Sequence, residues 1–287
     1  MTTLRLLLPQ WQGGVNPNYA FGAELLNFIA PKTESSQTVR VEVAKDFDVK
    51  QVETNGLVSE PQLRQQIRDT QKALNDYKPD KVIVYGGDCS VDYAPFDYLS
   101  GKYGDKLGMI WLDAHSDLVE LSHTNHAHET IVTDLLGRKA TTLSQELNYP
   151  IQPSQLLYVG LPKDEIRPQE YLVDELRIPV ITPEILADSS QAVVDWIKEG
   201  RFEYIAIHFD LDVLSPADFR ANLPGKPYQD LSTFGAAIGR LTLAQAVRFF
   251  KDISAEADLV GLGIAEHMPW DALNLRNALS EISIFQD

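Results

Sequence analysis

The chain has one cysteine, Cys89, in 287 residues. That excludes an intramolecular disulfide and points to a reducing compartment. Positive charge is also scarce, with 25 Lys and Arg against 41 Asp and Glu and a net charge of −16 at pH 7. No surplus of cations is there to neutralise phosphates, so a nucleic-acid partner is not expected. Long apolar runs are missing as well. The opening MTTLRLLLPQ breaks at Pro9, too early for a signal peptide or a membrane span, and it reads as a first strand. These absences lead to the expectation of a cytoplasmic protein without a membrane or nucleic-acid partner. The acidity itself suits a solvated surface, a cationic small molecule or bound metal ions.

What is present is an alternation of short apolar runs and amphipathic stretches, with no repeat and no Pro/Gly/Ser linker. Residues 3–8, 38–43, 81–85, 107–112, 155–160, 204–208 and 259–264 read as buried strands. Residues 59–77 read as a helix with Leu63, Ile67, Leu74 and Tyr77 on one face and a Ser59/Gln62 capping box at its start. Further helical patterns cover 192–197, 243–250 and 272–279. Strands alternating with helices predict an α/β fold, a three-layer αβα sandwich with a mostly parallel central sheet, built as one domain over 1–287. Ligands of such sheets bind beyond the carboxyl ends of the strands.

Three strand ends carry ligand chemistry. After residues 107–112 comes Asp113-Ala-His115-Ser-Asp117. In an extended chain its three polar side chains project to one side, which suits a cation or, more plainly, a polar turn. After residues 204–208 comes Asp210-Leu-Asp212, two carboxylates again at alternate positions. Four Asp and one His exceed what one ion can use, so the two clusters together point to two adjacent cations. The third end is Gly86-Gly-Asp88-Cys89-Ser90, where the glycines allow a tight turn beside a ligand, Ser90 can cap a helix and Asp88 can brace the loop.

In this order the three blocks resemble the ureohydrolase family of arginases and agmatinases, whose signatures read G-G-D-H-S, D-A-H-x-D and D-x-D followed by a proline, here Pro216. The resemblance runs on to Gly261-Leu-Gly-Ile-Ala-Glu266. It implies an arginase-like fold and two divalent ions, Mn²⁺ by family habit, bridged by a hydroxide that hydrolyses a guanidino C–N bond. Carried over by position, Asp113 and Asp210 bridge the ions. Asp117 and residue 89 hold one ion, and His115 and Asp212 the other. Glu266 holds the guanidinium of a small cationic substrate. His128, in a stretch that gathers His123, His126 and His128, matches a proton-shuttling histidine. The resemblance also implies a homo-oligomer, a trimer or hexamer.

Several positions depart from the pattern. Cys89 stands where the family places a histidine, so the set of four Asp and one thiolate carries −5 against +4 from two divalent ions. A thiolate favours softer ions and leaves Zn²⁺, Ni²⁺, Co²⁺ or Fe²⁺ open beside Mn²⁺. A branch acting on Nω-hydroxy-L-arginine carries a similar replacement, which keeps hydroxyurea release open beside urea release. Val119, Glu129 and Ser215 also replace family residues, and the substrate is left unnamed. Two other readings remain at this point. One is an enzyme that modifies guanidines with Cys89 as nucleophile and His128 as base. The other is a non-catalytic binding protein on the same fold.

Overall fold

The computed structural model describes residues 1–32 and 36–285. The ten strands among them are β1 (Thr3–Leu8), β2 (Ser36–Arg40), β3 (Glu53–Thr54), β4 (Leu57–Val58), β5 (Lys81–Gly86), β6 (Leu107–Leu112), β7 (Leu156–Val159), β8 (Val180–Ile181), β9 (Tyr204–Asp210) and β10 (Asp258–Ala265). Eight of them form one sheet in the order β2-β1-β5-β10-β9-β6-β7-β8, with every pairing parallel. β3 and β4 make a separate antiparallel hairpin.

Alternate strand residues face two apolar layers. On one face Leu4, Leu6, Val84, Met109 and Trp111 pack with Leu63 and Ile67 of α2 (Glu60–Tyr77), after α1 (Asn18–Ile29) in the chain, and with Phe96 of α3 (Tyr93–Tyr103). On the other, Leu7, Ile110, Ile205 and Ile207 pack with Leu26 of α1. The same layer holds Val193 of the helix Gln191–Gly200 and Phe249 of the helix Leu243–Glu256. The expected three-layer α/β sandwich is therefore present, and its sheet is wholly parallel.

Local details differ from the sequence reading. The second strand stops at Arg40, and Val41 instead donates its amide to the Leu7 carbonyl. Ser59 takes a left-handed conformation (φ 57°) and makes no side-chain cap. Its hydroxyl donates to Gln51 Oε1 at 2.7 Å, so the expected capping box does not form. Tyr77 is 44% exposed rather than part of the buried face. The helices α1 and α3 were not expected; α1 has Pro17 before it and no acidic first turn, so its start carries few of the usual signals.

Candidate metal centre

Cys89, Glu266, Asp210 and Asp113 lie at or just beyond the carboxyl ends of β5, β10, β9 and β6, four consecutive neighbours in the middle of the sheet. A parallel sheet places all four carboxyl ends at one edge, so residues far apart in sequence converge. Three of these ends turn by one device. Asp88 Oδ1 accepts the Ser90 amide at 3.0 Å, Asp113 Oδ1 the His115 amide at 2.7 Å, and Asp210 Oδ1 the Asp212 amide at 2.6 Å. Each aspartate thereby bends the chain two residues on. The 113–117 segment does not stay extended as the alternation suggested. It leaves the strand at Leu112, and Asp117 is held at φ 47°.

Asp88 braces this arrangement. Its Oδ1 also accepts from Gln10 Nε2 at 3.0 Å, and its Oδ2 accepts the Gly13 amide at 2.9 Å. Ser90 donates its hydroxyl to Asp88 and caps nothing. Gly87 is required by backbone contact, not by ligand approach, because a Cβ there would lie 1.6 Å from the Gln10 carbonyl oxygen.

A cavity of about 120 Å³ lies over these strand ends, lined by Tyr19, Cys89, His115, Asp117, His128, Asp210, Asp212 and Glu266, with Arg167 and Glu129 among the outer residues. Ligand atoms of Asp113, His115 and Asp212 fall within 4.8 Å of one another, as do those of Asp210, Asp212 and Glu266. The Cys89 Sγ is 3.1 Å from Asp210 Oδ2 and 3.4 Å from Glu266 Oε1. All eight residues singled out in the sequence are therefore brought together: Cys89, Asp113, His115, Asp117, His128, Asp210, Asp212 and Glu266. Of the histidine cluster, His128 reaches the cavity, His126 packs against it with ring centroids 5.8 Å apart, and His123 is exposed.

The electrostatics reflect carboxylates crowded without counter-charge. Burial raises the pKa of Asp117 and Asp210 well above the usual carboxylate range, helped by Asp113 beside the first and by Asp212 and Glu266 beside the second. Burial also pushes the Cys89 thiol far up, with Asp117, Glu266, Asp210 and Asp113 adding to it. For His115, burial favours the neutral ring, but Asp212 and Asp113 outweigh it and raise its pKa well above normal. For His128, burial likewise pulls down, but the hydrogen bond and charge of Glu266 prevail and raise it to about 9. Glu266 is lowered in turn: burial opposes this, but His128 and the Tyr19 hydroxyl hold it ionised.

A cation fits this donor set. His115 Nε2, Asp117 Oδ2 and Asp212 Oδ1 are buried with no hydrogen-bond partner, where nearly every buried polar atom has one. A divalent ion would satisfy these atoms and offset the repulsion that now drives protons onto the carboxylates.

Sequence reasoning missed four contributors. Tyr19, from α1, donates its hydroxyl to Glu266 Oε2 at 2.7 Å. Arg167 is the one Lys or Arg in the lining and pairs with Glu129 and Glu170, each at 3.1 Å. Asp92 and His208 form a fully buried pair at 2.7 Å. Strand alternation could have found His208, since 208, 210 and 212 fall at alternate positions; nothing local marks Tyr19.

Comparison with known proteins agrees with this geometry. The Arginase family matches residues 22–270. An arginase from Staphylococcus aureus (strain COL) is 26% identical over 139 residues, which is 46% of this chain and 44% of that protein. The alignment thus spans less than half of that relative's length. The crystal structure of Entamoeba histolytica arginase in complex with L-ornithine superposes with a TM-score of 0.77 at 16% identity, covering 93% of this chain and 92% of that one. Proclavaminate amidino hydrolase from Streptomyces clavuligerus gives 0.65 at 18% identity, covering 93% and 83%. With a match across most of its length and the strand-end blocks in place, the chain belongs to the arginase family.

Proposed function

We propose that this protein hydrolyses a guanidino C–N bond of a small cationic substrate and works with two divalent metal ions. Asp113, Asp117, Asp210 and Cys89 would hold one ion, and Asp113, His115, Asp210 and Asp212 the other. The observation that carries the reading is the gathering of six buried or half-buried metal-type side chains, three of them with unpartnered atoms, beside the His128–Glu266–Tyr19 chain. When bound, the ions supply the Lewis acidity that makes water a nucleophile at neutral pH.

The protein's own groups divide the remaining work. Glu266, kept ionised by His128 and Tyr19, offers a carboxylate to a guanidinium, a planar cation that pairs well with it. Its left-handed backbone (φ 58°) turns that carboxylate over the strand ends, strain tolerated where the surrounding structure fixes it. His128 Nδ1 lies 3.2 Å from Glu266 Oε1. With a pKa near 9 it holds a proton at neutral pH and can deliver it to a departing amine.

The alternative with Cys89 as nucleophile is disfavoured by its surroundings. A fully buried thiol facing Asp117, Glu266, Asp210 and Asp113 is kept protonated, whereas nucleophilic cysteines sit in electropositive sites.

The test is urea release from a panel of guanidino compounds by protein loaded with Mn²⁺, Co²⁺ or Zn²⁺, with metal content measured in parallel. About two ions per chain and turnover abolished by chelator or by Asp113→Asn support the reading. Turnover that survives chelation and dies with Cys89→Ser would transfer the chemistry to the thiol. Absence of bound metal under every loading condition would leave a binding protein on this fold.

A further inference from the structure

The position where the family places an imidazole holds Cys89, yet an imidazole reaches the same cluster from β9, two strands along the sheet from β5. His208 sits within β9, two residues before Asp210. Its ring is fully buried. Nδ1 lies 2.7 Å from Asp92 Oδ2, while Nε2 has no hydrogen-bond partner. A ring nitrogen of His208 falls within 4.8 Å of ligand atoms of Cys89, Asp113 and Asp117, which are as close to one another, and Nε2 is the one on the Asp113 side.

We propose that His208 is a metal ligand, its Nε2 completing with Cys89, Asp113 and Asp117 a site for a divalent transition ion of borderline softness such as Zn²⁺ or Co²⁺. The proposal rests on the two-ion reading above and deepens it at the Cys89 position. Together with the shared Asp210, a donor set of one sulfur, one imidazole nitrogen and carboxylates suits such an ion better than an all-oxygen cage does.

The ring is built to be held in place. Trp111, opposite His208 in the β6–β9 register, stacks on it with centroids 3.8 Å apart and planes 14° apart. Asp92 belongs to the same short turn as Cys89, and its carboxylate against Nδ1 fixes which nitrogen is left to face the cluster. Carboxylate–histidine–metal chains of this kind orient metal-binding imidazoles. Gly263 makes room for the carboxylate, since a Cβ there would lie 1.9 Å from Asp92 Oδ2, and Gly263 is the β10 partner of His208. Nε2 stands 3.9 Å from Asp113 Oδ2, a gap between two ligand atoms that an ion can close.

Cobalt titration of the whole chain tests this with a signal independent of turnover. Thiolate bound to Co²⁺ gives a near-ultraviolet charge-transfer band that reports the Cys89 position alone. His208→Gln, similar in size and able to keep a hydrogen bond to Asp92, should weaken the ion under that band at least about tenfold. Asp92→Asn should weaken it by roughly 10- to 100-fold. The ion near Asp212, followed by total cobalt, should stay within about threefold. If both variants fold and titrate like the wild type, His208 is a core histidine and the proposal falls. If wild-type protein takes up no Co²⁺ at all, the two-ion reading falls with it, a distinguishable result. Should the variants fail to fold, anomalous scattering from zinc-loaded wild-type crystals decides. An ion about 2.1 Å from Nε2 supports the assignment, and one beyond about 3 Å overturns it.

Discussion

The Tyr19 hydroxyl donates to Glu266 Oε2 at 2.7 Å, joining a helix near the N-terminus to the end of the last sheet strand. Both side chains are buried, so the bond reaches a carboxylate that solvent cannot stabilise. Glu266 is shared between this hydroxyl and His128, on separate oxygens. The orientation of the group proposed to receive the guanidinium is thus set from two sides.

Tyr19→Phe removes one of those sides without changing the packing volume much. A hydrogen bond to a charged group contributes about 1.5–3 kcal/mol, so kcat/KM for the guanidino substrate should fall by roughly 10- to 100-fold. Metal content should not change, because Tyr19 contacts no proposed ligand except through Glu266. Steady-state kinetics with parallel metal analysis decides. A variant with unaltered kcat/KM would mean that Glu266 is not the guanidinium acceptor.

Cys89→His tests what the thiol does to the choice of metal. Binding an ion through Cys89 requires removing a proton from a thiol whose pKa burial and four carboxylates push up. A neutral imidazole needs no such loss and adds no negative charge. Cys89 lines the cavity, the side on which a larger side chain would extend. Mn²⁺ affinity should rise by about tenfold or more, and preference for Zn²⁺ over Mn²⁺ should narrow. Calorimetric titration with each ion measures both. Unchanged Mn²⁺ affinity would show that residue 89 stands outside the metal's reach.

The strands and the three ligand blocks were readable because both depend on local pattern. Apolar runs of five or six residues mark buried strands, and Asp one or two positions after a run marks the turn. Asp113 and Asp210 illustrate this: each aspartate folds onto the amide two residues later, a preference written in the residue type. What was not readable depends on distant chain segments. Ser59 has the sequence of a helix cap, but Gln51 offers its hydroxyl a better partner and the cap is lost. Gly87 looks like a ligand-approach glycine, but the Gln10 backbone occupies the space. Tyr19 and Asp92 are invisible to any motif, because their roles follow from strand order, which places α1 and the turn after β5 beside β10 and β9.

The metal-free protein should lose stability as pH rises, and metal should restore it. Asp117 and Asp210 have folded pKa values well above normal, so the folded state binds protons that the unfolded chain releases near pH 4. Stability therefore declines with increasing pH above that point. His128 acts in the same sense. Its pKa is raised to about 9, so its contribution is complete below about pH 6.5 and disappears as pH passes through about 9. Glu266 has a lowered pKa; its contribution is established above about pH 4.5 and is flat through this window. None of these four groups favours the folded state more at high pH than at neutral pH. Divalent ions take the place of the protons, so their effect should grow with pH as ligands deprotonate. At about 100 times Kd, one ion adds roughly 2.7 kcal/mol. Melting temperatures of chelated and Zn²⁺-loaded protein at about pH 5.5, 7 and 8.5 read this directly. The chelated protein should melt lower at each step, and the gap to the loaded protein should widen. A chelated protein that grows more stable across that range would mean that Asp117 and Asp210 are compensated by something other than metal.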